Sequence, residues 1–193
     1  MRSSRSIHSF FAVLAGLLAI IGSAAATEFP RFRGYNHGTP NENIFDEPVI
    51  LPMTEIWRTN VGNGYGQIVA VDGKVYAEGN ISGQTTLYCF DEDSTGPAPT
   101  LLWKTTYPDA SIYWNGPRAT PTVHGNEVYT FSPNGRLTIF DKNTGDILWY
   151  TITDWGQYTT YHYGGSVLID GDKMIINAAG NGIAFNRKPP YNR

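Results

Sequence analysis

The sequence predicts an all-β chain built from repeated four-stranded antiparallel units, and three observations predict it. Trp57, Trp103 and Trp149 stand 46 residues apart in turn. Each closes a similar phrase: Thr54-Glu55-Ile56-Trp57, Thr100-Leu101-Leu102-Trp103 and Asp146-Ile147-Leu148-Trp149. A fixed period of this size marks a repeat architecture in which one small unit recurs. The composition agrees: 12 Tyr, 9 Phe and 5 Trp suit strands, while 21 Gly and 12 Pro suit turns. After the first 26 residues, short alternating runs lie between Gly, Asn, Asp and Pro, with no helical period. Such units are the blades of a β-propeller. Residues 53–193 hold about three periods, so the expected propeller is incomplete, a truncated form of a longer ring.

The chain opens on an export signal. Arg2 and Arg5 form a basic start, residues 10–21 are apolar, and Ala24-Ala25-Ala26 supplies a small-residue cleavage pattern. The apolar run is too short to span a bilayer, and no later stretch is apolar enough to do so. Residues 1–26 are therefore assigned as a signal peptide. Residues 27–52, with four prolines and little periodicity, are a lead-in segment expected to lie over the blades. Residues 53–193 form the partial propeller, with units at 66–105, 119–151 and 165–186. The expected location is periplasmic or extracellular.

The second unit is the clearest. Residues 119–124 form a short strand in which Pro121 breaks the ladder. Gly125-Asn126 turns into a strand at 127–131, and Pro133-Asn134-Gly135 marks a hairpin. Residues 136–140 alternate, placing Leu137 and Ile139 on one face. The turn at 141–145 leads to a fourth strand ending near Tyr150. The first unit repeats this order with strands at 67–71, 75–78, 86–90 and 101–103. The third has strands at 166–169, 174–177 and 182–185, and then Pro189-Pro190 stands where a fourth strand would run. The segment around Trp57 precedes the first unit as a lone outer strand. The strand ending at Phe185 is expected to offer an open edge for self-association.

Composition also excludes classes of function. The 14 Lys and Arg are outnumbered by 17 Asp and Glu, and loss of Arg2 and Arg5 widens the gap. A nucleic-acid surface needs clustered cations, so none is expected. Cys89 is the sole cysteine. It allows no internal disulfide and no covalent haem motif, and its setting in Leu87-Tyr88-Cys89-Phe90 suits a small buried hydrophobe.

Gly135-Arg136-Leu137-Thr138-Ile139-Phe140-Asp141-Lys142-Asn143-Thr144-Gly145-Asp146-Ile147-Leu148-Trp149 resembles the tryptophan-docking repeat of pyrroloquinoline-quinone-type (PQQ-like) propellers. Pro30-Arg31-Phe32-Arg33-Gly34 and Gly116-Pro117-Arg118-Ala119-Thr120-Pro121 resemble other segments of exported bacterial members. The likeness covers residues 28 to about 186. It implies blade-docking roles for Trp57, Trp103 and Trp149. It implies one of two functions: a cofactor-free scaffold like the outer-membrane assembly propeller, or a quinone-dependent alcohol dehydrogenase that binds pyrroloquinoline quinone with calcium. The dehydrogenases often carry a vicinal Cys pair near the quinone, and this chain has one Cys.

No residue set stands out as catalytic or metal-binding. Asp91 and Asp141 sit at turn positions where a carboxylate caps backbone N–H groups. Residues 141–152 fail as a calcium loop, because the Gly falls one position early and Ile152 replaces the bidentate Glu. His37, His124 and His162 show no metal spacing. Asn80-Ile81-Ser82 matches a glycosylation sequon by pattern alone. The segments between blades are rich in large aromatic rings: Tyr107, Tyr113 and Trp114 in one, Trp155, Tyr158, Tyr161 and Tyr163 in the next. They either cover the exposed core of neighbouring blades or form a candidate ligand-binding rim for protein, peptide or carbohydrate. The function expected is a non-catalytic interaction or scaffold module without cofactor. The alternative is a remnant or relative of a quinone-dependent dehydrogenase.

Expression in an exporting host should give a product whose N-terminal sequence starts at or near Thr27. A membrane-bound product that retains Met1 would show that the leader is an anchor.

Overall fold

The computed structural model describes residues 30–33, 52–109, 116–152 and 162–188. These form three antiparallel sheets of 4, 4 and 3 strands. The first sheet contains β1 (Val69–Val71), β2 (Lys74–Ile81), β3 (Gln84–Asp91) and β4 (Leu101–Pro108). The second contains β5 (Thr122–His124), β6 (Glu127–Phe131), β7 (Arg136–Asp141) and β8 (Ile147–Ile152). The third contains β9 (Leu168–Asp170), β10 (Lys173–Ala178) and β11 (Asn181–Asn186). Every sheet is a meander in which consecutive strands are neighbours, the topology of propeller blades.

Side-chain alternation explains how the sheets stack. Successive residues of a strand point to opposite faces. On β7, Leu137 and Ile139 join Tyr129 and Phe131 of β6 in a cluster with Val167, Ile169, Met174 and Ile176 of the third blade. On the opposite face, Phe140 and Val128 meet Val69, Tyr76, Leu87 and Cys89 of the first blade. The second blade is thus apolar on both faces. Cys89 is a free, fully buried thiol in the first interface, and burial pushes its pKa up to about 11.

The innermost strands are tied together where each blade begins. Tyr65 N donates to Pro117 O at 2.8 Å, and Gln67 N to Thr120 Oγ1 at 2.9 Å. Thr120 N donates in turn to Ser166 Oγ at 2.9 Å, and Thr122 Oγ1 to Val167 O at 2.7 Å. Of the lead-in segment, residues 30–33 are described. Pro30 is buried there, and its carbonyl accepts from Val123 N of β5 at 2.8 Å.

Several boundaries differ from the sequence expectation. β2 continues to Ile81 and β3 begins at Gln84, where the expected strands stop at 78 and resume at 86. Gly79 stays in the strand because the Val61 carbonyl lies where its Cβ would be, so no other residue fits. β5 has lost residues 119–121 from its ladder, in keeping with Pro121. β4 continues to Pro108, past the expected strand end at 103 and unit end at 105, and this moves Tyr107 from a linking segment into a strand.

Phe140 is fully buried between the first two blades. Phe140→Ala should cost about 3–5 kcal/mol in urea unfolding. Leu148→Ala, at a residue 45% exposed on β8, should stay within about 0.5 kcal/mol.

Candidate functional site

Of the candidate rim residues, Tyr113, Trp114, Trp155, Tyr158 and Tyr161 lie outside the described residues. The other two take the covering place and not the rim. Tyr107 is 2% exposed and Tyr163 is 5% exposed, so neither ring is on a surface. Tyr107 lies against Phe140 with ring centroids 5.9 Å apart, and Tyr163 against Phe131 at 5.4 Å. Both rings fill space between neighbouring blades.

The repeated tryptophans occupy related places. Trp103 donates from Nε1 to the Lys142 carbonyl of the second blade at 3.1 Å. Its ring lies against Gly145, where φ is +78° and a Cβ would come 2.5 Å from Trp103 Cε3. Thr105 Oγ1 donates to the Gly145 carbonyl at 2.6 Å. Trp149 packs on the cluster between the second and third blades. Trp57 lies 6.4 Å from the Phe90 ring, centroid to centroid, on the first blade's other face. The turn beside Trp103 is fixed by Asp141, whose Oδ1 accepts from Asn143 N at 2.8 Å and Thr144 N at 2.9 Å. Those two donors hold the Asp141 carboxyl below its ordinary pKa. Asp91 Oδ1 accepts similarly from Asp93 N at 3.1 Å in the first blade.

Two polar regions flank the apolar interface between the first two blades. At one end, a groove of about 460 Å³ is lined by Val71, Asp72, Val123, His124, Gly125, Asn126 and Lys142. Lys142 Nζ pairs with Asp72 Oδ2 at 2.5 Å. His124 is exposed there, and desolvation followed by the Arg187 charge lowers its pKa.

The other end is buried. Tyr107 of β4 donates from Oη to Glu78 Oε1 of β2, and the same Oη lies 3.3 Å from Thr130 Oγ1 of β6. Asp109 Oδ1 accepts from Ser132 Oγ at 3.1 Å and from Asn134 Nδ2 at 2.8 Å, across the blade boundary. Arg136 places its guanidinium carbon 5.1 Å from the Tyr107 ring centroid and 3.9 Å from that of Tyr150. Glu78 Oε2 and Asp109 Oδ2 are buried with no hydrogen-bond partner among the described residues. Burial raises the pKa of both carboxyls, that of Glu78 to about 7. Asn80, the residue of the sequon, is 4% exposed and donates to Thr85 Oγ1 at 3.1 Å, so its amide is closed off in the folded chain.

The sequence expectation did not include Glu78, Asp109, Thr130 or Arg136. One signal was present. Glu78 shares the strand phase of Tyr76, two residues earlier, so a carboxyl sits on a core-facing phase. Among the described residues, no group of three or more His, Cys, Asp or Glu side chains is placed to hold a metal ion. No described helix is long and apolar enough to cross a membrane.

Residues 53–188 match the family model described as outer membrane protein assembly factor BamB. The chain belongs to this family. Solved structures with the same fold include a europium-containing methanol dehydrogenase, with a TM-score of 0.51 and 15% identity over 65% of this chain and 23% of that one. BamB from Moraxella catarrhalis gives a TM-score of 0.47 at 22% identity, over 67% of this chain and 38% of that one. A quinohemoprotein alcohol dehydrogenase from Comamonas testosteroni gives 0.48 at 21% identity, over 66% and 20%. This chain thus spans between about a fifth and two fifths of these structures' lengths. At 15% identity, the likeness to the methanol dehydrogenase is one of fold alone. No curated protein sequence matches. Membership in the BamB family therefore rests on the sequence match and the bladed architecture together.

Gly145→Ala should cost about 1–3 kcal/mol, from the left-handed backbone and the collision with Trp103. In Trp103→Ala/Gly145→Ala the penalty should be clearly less than the sum of the singles, because the collision is gone. Additive losses in chemical unfolding would separate the two residues.

Proposed function

We propose that the chain is an exported, non-catalytic interaction module whose partners are proteins. The observation that carries this is the apolar character of its outer strands. On β4, Leu101 and Leu102 are each 45% exposed. On β8, Ile147, Leu148, Tyr150 and Ile152 are all exposed. Outer strands that display apolar side chains at the edge of a sheet suit strand-on-strand contact with another protein. The family description, an assembly factor, agrees with that use. The dehydrogenase alternative has less support, since the sequence offers one Cys in place of a vicinal pair. The remaining aromatic residues of the linking segments, Trp114 and Trp155 among them, would extend the contact surface.

One partner is proposed as a second copy. Among the described residues, β11 pairs with β10 alone. The stretch around Trp57 is mostly exposed and forms no strand within this chain, in contrast to the lone outer strand expected, although the 46-residue repeat spaces it as one. It fits the open side of β11 in a neighbouring molecule.

Light scattering over a dilution series should show reversible self-association at micromolar concentration, which a proline inserted by Ile183→Pro on β11 should reduce. A cooperative monomer throughout would remove the second-copy contact. Calorimetric titration with pyrroloquinoline quinone plus calcium should give no saturable heat. Micromolar binding at one site would overturn the scaffold reading and favour the dehydrogenase.

A further inference from the structure

Two carboxyl groups lie in the interface between the first two blades, each more than nine-tenths buried, and each with one oxygen lacking a hydrogen-bond partner among the described residues. Such an oxygen costs free energy in a buried site, and a pair of ionised carboxylates there costs more. Among the described residues, the elements packed around them supply few charges. β4 contributes Tyr107, β7 contributes Arg136, and β3 and β6 contribute the neutral Thr85 and Thr130. Two carboxylates and one guanidinium leave a net charge of −1, which a single proton cancels. A divalent cation would overshoot to +1.

We infer that Glu78 and Asp109 together bind one proton in the folded chain, and that its loss loosens the contact between the first two blades. The partners decide which carboxyl holds it. Asp109 accepts from Ser132 and Asn134 and feels the Arg136 charge, all of which favour its ionised form. Glu78 is fully buried beside the Asp109 charge, and these together outweigh the Tyr107 hydroxyl, whose hydrogen bond favours the ionised form. The proton therefore resides on Glu78. Burial first, and then the Asp109 charge, raise its pKa from 4.5 to about 7. The sign follows from linkage. A folded-state pKa raised above the unfolded value gives stability that is complete below pH 4.5 and lost as pH rises through about 7. On deprotonation a second negative charge appears beside Asp109, at the boundary crossed by Ser132 and Asn134.

Thermal unfolding of the full chain, followed from pH 4.5 to 8.5, tests this. The wild type should lose stability as pH rises toward 7, with the folded-to-unfolded ratio falling by roughly two orders of magnitude. Glu78→Gln should flatten this step and melt higher than the wild type at pH 8. Asp109→Asn should move the step to lower pH. A flat wild-type profile, or an unchanged step in Glu78→Gln, would overturn the inference. A rise in melting temperature with millimolar calcium, lost in Glu78→Gln, would also overturn it by placing a cation there. Should the variants fail to fold, NMR titration of ¹³C-labelled glutamate carboxyls in the wild type decides the matter. One carboxyl should titrate near 7, and titration of all of them in the ordinary range would refute the proton.

Discussion

The structure depends on one constraint: a blade with two apolar faces must be covered on both sides. In the second blade the two strand phases serve different neighbours. Leu137 and Ile139 face the third blade, and Phe140 faces the first. Neither face could be left in water without losing the burial that holds the sheet together. The blades are therefore parts of a stack, stable through nearest neighbours, as in other repeat proteins. Trp103 reinforces that coupling in polar form, by reaching from one outer strand to a carbonyl of the next blade.

The same interface changes character along its length. Its middle is hydrocarbon, aromatic rings and one thiol. Towards the linking segments it becomes a set of buried hydroxyls, amides and carboxyls around Tyr107. Apolar packing tolerates small shifts, whereas directed hydrogen bonds fix register. The polar end can thus set the angle at which the two blades meet, while the apolar middle provides most of the cohesion.

Much of the fold was legible because repetition and strand period are local signals. The 46-residue spacing fixed the number of units, and alternation in β7 fixed which residues face together. What escaped depended on contacts distant in sequence. Nothing local says that Gly79 lies in a strand, since the reason is the backbone of Val61 pressed against it. Tyr107 was placed by composition among rim aromatics, yet it continues β4 and turns into the interface. Glu78 is the instructive case. Its strand phase pointed inward, but only the three-dimensional partners show that a carboxyl is accommodated there, held by a tyrosine from another strand.

Cys89 gives the blade interface a chemical clock. Its sulfur is free and fully enclosed between the first two blades, and its raised pKa leaves little thiolate even at mildly alkaline pH. Oxidants and alkylating reagents act on exposed thiolate. Modification of this side chain therefore has to wait for the blades to part. The chain carries its own reporter of that opening, at a position where any adduct would also keep the blades from closing again.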